Sequence, residues 1–205
     1  MPAAPDQHRA PPPLAPATVR DADARLADAV RALVDVAVDG RVLDPDMLHE
    51  AAGEIDAVAA RLRRVQDALP EDERHAMYNG LRTPMPHWDY VTTDDALLAR
   101  GRFTNGHTGP PGCVHGGWIA LAFDEVLGWA NFKAGVGAMT AHLGIRYRKP
   151  TPIGAEVEFR VPWPEVHGRR VHTRATLAAD GVVTADAEGL FIHFQGRALP
   201  APPAR

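Results

Sequence analysis

The segment that most restricts what this chain can become is "WIALAFDEVLGWANF", residues 118–132. Read as a helix, it is apolar on nearly every side, so it has to be enclosed rather than laid along a surface. The residues C-terminal to it are suited to enclosing it. "MTAHLGIRYRKP" alternates, with Ala141, Leu143, Ile145 and Tyr147 facing one way and Thr140, His142, Arg146 and Arg148 the other. "AEVEFRV" alternates too, as do residues 170–178 and 183–194, with tight turns predicted at His167-Gly168 and Asp180-Gly181. Four consecutive strands joined by short connections predict an antiparallel meander. A further short strand is predicted at residues 97–103. One long apolar helix from about His115 to Lys133, followed by such strands, predicts an α+β architecture in which an antiparallel sheet wraps around one central helix.

Two more helices are predicted upstream. Leu26, Val30, Leu33, Val34 and Ala37 share one helical face, with a stop at Asp39-Gly40. Asp44-Pro45 is an N-cap followed by proline at the first helical position. The stripe Leu48, Ala52, Ile55, Ala59, Leu62, Val65 and Leu69 then runs up to Pro70, with Arg61, Arg63 and Arg64 on a solvated face. The chain therefore divides into a Pro/Ala-rich tail at 1–17, a helical hairpin at 18–70, a domain at 71–198 and a flexible tail at 199–205. Within the domain, "GLRTPMPHWDYVTTDD" is predicted to be a loop-rich lead-in.

Several function classes are disfavoured by composition. A formal net charge of -4 argues against a general nucleic-acid binder. A single cysteine forbids an internal disulfide. No apolar run approaches the ~18 residues of a membrane span. "MPAAPDQHRAPPPLAPA" lacks the apolar core of a signal peptide, so a cytoplasmic location is expected. His107, His115 and His142 show no metal-ligand spacing with cysteines or carboxylates, so no metal is expected.

The chemistry concentrates around "GPPGCVHGG", residues 109–117, at the mouth of the central helix. The first N–H groups of a helix lack internal partners and sit at the positive end of its dipole. Gly116 and Gly117 leave that end open to a ligand carbonyl, which is the device of an oxyanion hole. The same two glycines equally suit tight packing against the sheet. The dipole disfavours an imidazolium at His115, whose expected role is to position substrate as a neutral group. Cys113 has no identifiable base and reads as a small buried hydrophobe. Asp124 stands out, because an ionised carboxylate on so apolar a helix is costly unless it is paired or functional. Glu125, about 100° further round, is expected to be its solvent-facing neighbour, although periodicity leaves open which acid enters a site. Trp118, Trp129 and Phe132 either belong to the core or shape an acyl pocket.

"GPPGCVHGGWIALAFDEVLGWA", "MTAHLGIRYRKPTPIGAEVEF" and "DGVVTADAEGLFIHF" together resemble the hotdog-fold acyl-CoA thioesterases, over residues 97–194. The nearest groups are the phenylacetate-pathway (PaaI-like) type and its mitochondrial relatives. The resemblance implies that the Gly116 N–H polarises a thioester carbonyl. It implies that Asp124 acts as general base on water, or attacks directly to give an anhydride, and that Thr140 orients the water or the aspartate. It also implies a homodimer or tetramer with its sites at the dimer interface. The substrate would be an acyl or aryl thioester of CoA or of an acyl carrier, with no cofactor beyond the CoA of the substrate itself. Coenzyme A phosphates call for cations, and Arg146, Arg148, Arg169 and Arg170, with Gly117, are the expected binding residues. Some relatives carry an asparagine six residues before the histidine of the HGG; here Gly109 stands there, so that role has no bearer. Two other readings fit the same fold, a hotdog dehydratase or hydratase and a non-catalytic acyl-ligand binder or interaction protein. The first needs a histidine and a carboxylate acting together on Cα and Cβ. Neither a nucleic-acid nor a membrane partner is expected.

Overall fold

The computed structural model describes residues 17–38, 44–68 and 85–193, in two units. The first contains α1 (Ala17–Val38) and α2 (Pro45–Ala68). Asp44 caps α2 as expected, with Oδ1 accepting from the Asp46 N–H at 2.9 Å. The apolar stripes Leu26, Val30, Leu33 and Val34 on α1, and Leu48, Ile55, Leu62 and Val65 on α2, are exposed within this chain. The expected stops at Asp39-Gly40 and Pro70, and both terminal tails, lie outside the described residues.

The second unit begins at Met85 and holds the central helix, α3 (Gly116–Lys133). Ile119, Ala122, Phe123, Val126, Leu127 and Ala130 are buried along it at three- and four-residue spacing. Its end is a Schellman turn: Gly135 takes φ 78° and the Val136 N–H donates to the Asn131 carbonyl at 2.9 Å. Around α3 run β1 (Asp89–Thr92), β2 (Ala96–Arg102), β3 (Ala138–Tyr147), β4 (Glu156–Pro162), β5 (Glu165–His167), β6 (Arg170–Ala179) and β7 (Val182–His193). All pairings are antiparallel, which gives the expected α+β sheet around one helix. Helix and sheet meet through rings packed edge to face, Phe159 standing 5.1 Å from Phe123 and 5.2 Å from Trp88.

Three expectations need correction. The strands do not form a simple meander, because their order is β1-β2-β4-β6-β7-β3, with β5 added to β6. β3 pairs with β7 at the far edge, while β4 lies between β2 and β6. Alternation shows which side of a strand is buried but not which strand lies beside it, and here the chain passes from one edge to the middle after Tyr147. Secondly, β1 forms inside the segment read as a loop-rich lead-in; at four residues it is too short to leave a periodic signal.

Thirdly, the alternation of β3 is broken. Thr140 lies opposite Phe191, but His142 lies opposite Leu190 and Leu143 opposite Gly189, so one extra residue is accommodated between Thr140 and His142. This bulge moves Thr140 from the outer face, where strict alternation puts it with Arg146, to the helix-facing side with Leu143 and Ile145.

Candidate active site

The first turn of α3 is held from several directions. The Val114 N–H donates to the Thr151 carbonyl and the Ile153 N–H to the Gly112 carbonyl, while the His115 N–H donates to the carbonyl of buried His107. His115 is the N-cap: its backbone is extended, and Nδ1 accepts from the Gly117 N–H at 3.0 Å. Accepting at Nδ1 places the ring proton of neutral imidazole on Nε2. The Gly117 N–H, counted among the substrate contacts in the sequence reading, is thereby engaged within the chain. The Gly116 N–H has no acceptor among the described residues.

The two readings of the glycine pair now separate. A Cβ at Gly117 would stand 3.1 Å from His115 Nδ1, so glycine there serves the cap. A Cβ at Gly116 would make only ordinary contact, at 3.4 Å, with the Tyr147 ring. Packing therefore does not demand a glycine at 116. Tyr147 also donates from its hydroxyl to the Gly116 carbonyl at 2.8 Å, fastening the helix start to the end of β3.

Asp124 is half-buried, and its Oδ1 accepts from the Thr140 hydroxyl at 2.7 Å. Its Oδ2 has no partner among the described residues. The bulge makes this contact possible, since an unbroken strand would aim Thr140 away from the helix. Glu125 is not solvent-facing as expected but half-buried. Burial, and then the charge of Glu125, push the Tyr90 phenol well above its ordinary range. The two adjacent acids, about 100° apart, thus turn to different neighbours, Asp124 to Thr140 of β3 and Glu125 toward Tyr90 of β1, which are the two edge strands.

The arginines do not all come together. Arg146 and Arg148 line a cavity of about 660 Å³ with Arg160, Arg174, Asp186 and Glu188. It lies on the sheet face away from α3, since Arg146, Asp186, Thr176 and Arg160 form one row across four strands. Arg148 is paired with Asp186 and Arg160 with Asp95, while Arg146 has no ion pair among the described residues. Arg169 and Arg170 are exposed at the β5–β6 turn. Arg170 lies opposite Ile192 of β7 and Arg146 opposite Asp186. Six residues of strand, about 20 Å, therefore separate the two pairs. Sequence reading missed Tyr147 as a positioning residue, and Arg160 and Arg174 as cavity residues, because each depends on which strand lies next to which. Cys113 is half-buried in an isolated bridge to Pro152. Among the described residues no group of three His, Cys, Asp or Glu is placed to hold a metal, and no helix is long and apolar enough to cross a membrane.

Residues 111–184 match the family model described as Thioesterase superfamily. A crystal structure of a thioesterase superfamily protein is 31% identical with a TM-score of 0.71, covering 83% of this chain and 90% of that one. The chain belongs to the thioesterase superfamily. Its α+β fold is the hotdog fold. A hypothetical thioesterase protein of Streptococcus pneumoniae, 13% identical with a TM-score of 0.50, shares the fold over 52% of this chain and 90% of that one. Among curated relatives, acyl-coenzyme A thioesterase THEM4 of Xenopus laevis is 35% identical over 88 residues, 42% of this chain and 40% of that protein. Acyl-coenzyme A thioesterase THEM5 of Homo sapiens is 29% identical over 89 residues, 42% of this chain and 36% of that protein. The alignments therefore span well under half the length of these two relatives.

The cap at the helix mouth is testable without any substrate. His115→Ala removes the acceptor for the Gly117 N–H and should lower the unfolding free energy by about 1 kcal/mol. The readout is a lower urea midpoint. His115→Asn, which restores a capping oxygen, should recover most of the loss.

Proposed function

We propose that this thioesterase-superfamily protein hydrolyses an acyl or aryl thioester of coenzyme A to the free carboxylate and CoA. The observation that carries this reading is the Asp124 carboxylate, fixed at one oxygen by Thr140, with its other oxygen and the Gly116 N–H of the same helix unpartnered among the described residues. Asp124 Oδ2 takes a proton from water as the water oxygen attacks the thioester carbon. The negative charge that develops on the carbonyl oxygen is met by the Gly116 N–H and the positive end of α3. The C–S bond then breaks, and the departing thiolate receives the proton held by Asp124. His115, with its ring held by the Gly117 N–H, positions the substrate rather than moving a proton. Relatives named acyl-coenzyme A thioesterase support the substrate class.

Both groups cannot act on one thioester from a single chain. Eight residues of helix place Gly116 and Asp124 about 12 Å apart, yet each must come within about 3 Å of the reacting atoms. Two antiparallel copies of α3 across a two-fold axis bring Gly116 of one to Asp124 of the other, twice per dimer. The edge of β3, a ten-residue strand that among the described residues pairs with β7 alone, supports such an assembly, as does exposed Leu121 beside Asp124. Arg146, the cavity arginine without an ion pair among the described residues, is proposed as the principal contact for a CoA phosphate, with Arg148 beside it.

The reading is tested by thiol release. Asp124→Asn should lower kcat by about 10² or more while substrate still binds, and Glu125→Gln should be far milder; near-normal turnover in Asp124→Asn would sink the assignment. Refolding equal amounts of inactive Asp124→Ala and Gly116→Val chains together should restore about a quarter of wild-type activity, because half the dimers are mixed and each then holds one intact site. A mixture that stays inactive places both groups in one chain's site. Replacing Arg146 and Arg148 with Ala should raise KM for acyl-CoA much more than for a short acyl thioester lacking the nucleotide. Equal effects on the two substrates would remove the nucleotide role.

A further inference from the structure

The apolar stripe of α2 is left uncovered among the described residues. Leu48, Ile55 and Leu62 are 48%, 43% and 39% exposed, and Leu26, Leu33 and Val34 of α1 are exposed as well, so neither helix buries the other's stripe. A helix in a protein depends for most of its stability on packing its apolar face. Two helices that both leave that face exposed are half of a four-helix layer. The residues of α2 say which partner completes it.

Large and small residues alternate along the stripe. Leu48, Ala52, Ile55, Ala59 and Leu62 follow one another at four- and three-residue spacing, the repeat of a coiled-coil seam. A parallel copy would set alanine against alanine and leucine against leucine. An antiparallel copy, related by a two-fold axis level with Ala57, sets Ala52 against Leu62 and Ala59 against Ile55, so that large meets small in each layer. Charge selects the same arrangement. Residues 45–56 carry Asp46, Glu50, Glu54 and Asp56 with no Lys or Arg, whereas residues 57–68 carry Arg61, Arg63 and Arg64 with Asp67. Glu54 and Asp56 border the stripe on its two sides, and Arg61 and Arg63 follow seven residues later on the same two sides. None of these four is in an ion pair among the described residues. The antiparallel arrangement brings Arg61 of the second copy level with Glu54, and Arg63 of the second copy within about 8 Å of Asp56 along the axis, once at each end of the contact. The area suffices too. At 24 and 22 residues, α2 and α1 are about 36 and 33 Å long, and stripes about 10 Å wide come to roughly 700 Å² per copy. A stable dimer buries about 800 Å² per partner.

We propose that α2 is a self-association surface whose occupant is α2 of a second copy of this chain, packed antiparallel, with the α1 stripes completing the apolar layer. The contact is independent of the catalytic reading. It uses neither Asp124 nor Gly116, and it holds two copies together whatever reaction the sheet unit performs.

The experiment uses the full-length chain with Cys113→Ala, so that engineered cysteines are its only thiols. Chains with Ala52→Cys and chains with Leu62→Cys are refolded separately and together. They are then treated with a thiol-to-thiol crosslinker shorter than the ~15 Å that ten residues of antiparallel helix put between like positions. Both substitutions fall at exposed positions, so the fold is kept. The mixture should crosslink well: half of its dimers are mixed, so about half of the chains should be joined, against at least about fivefold less in either variant alone. Adding Arg61→Glu and Arg63→Glu to both chains should slow crosslinking in the mixture about threefold or more, and adding Glu54→Arg and Asp56→Arg as well should restore it. Self-crosslinking of either variant as strong as in the mixture overturns the antiparallel pairing. An absence of crosslinking in every sample shows that something other than a second α2 covers the stripe, and overturns the inference. A rate indifferent to the charge reversals overturns it as well.

Discussion

The sheet unit depends on covering the apolar face of α3. Ile119, Phe123, Val126 and Leu127 fall within about 100° of one another around the helix and form that face, over which the strands curl. Curling brings both edges of the sheet to the helix. The two consecutive acids, about 100° apart, therefore face different edges: Asp124 meets Thr140 of β3, and Glu125 turns toward Tyr90 of β1. Asp124 is left with one oxygen unpartnered among the described residues, at a strand edge, and Glu125 is drawn into an aromatic corner. Their difference in chemistry is a consequence of wrapping.

The helix start is specialised in a similar way. Of two adjacent glycines, Gly117 lets a histidine side chain cap the helix, and Gly116, held at its carbonyl by Tyr147, has a backbone N–H with no acceptor among the described residues. The His115 ring relieves one orphan donor and leaves the next one available, so the cap and the candidate oxyanion donor are parts of one local solution. The crystal structure matched over 83% of this chain covers more than the sheet unit alone contains, whereas the Streptococcus pneumoniae neighbour covers 52%.

Much of this was legible in the residues. The span of α3 could be read from its unbroken apolar run, and the Asp180-Gly181 turn from residues that tolerate positive φ, here 46° and 78°. Asp124 stood out because a carboxylate in apolar company needs a reason. What could not be read depended on neighbours distant in sequence. The pairing of β3 with β7, the four-residue strand at Asp89–Thr92 and the residue inserted after Thr140 leave no local periodic trace. The last of these matters most. A strict two-residue period sends the Thr140 hydroxyl to the wrong face, and only the resemblance to known thioesterases placed it beside Asp124.

The ties that hold the mouth of α3 have a further consequence, in time rather than in space. The Val114 N–H bonds to Thr151 and the Ile153 N–H to Gly112, joining segments 37 and 41 residues apart across the whole of α3 and β3. Such a closure loses chain entropy before it returns any contact. The middle of α3 can form its own hydrogen bonds early, but the loop that presents Gly116 is completed only once β3 has docked and the chain has turned back beneath it. The end of the helix proposed to carry the oxyanion donor is therefore the end whose order depends on the finished fold.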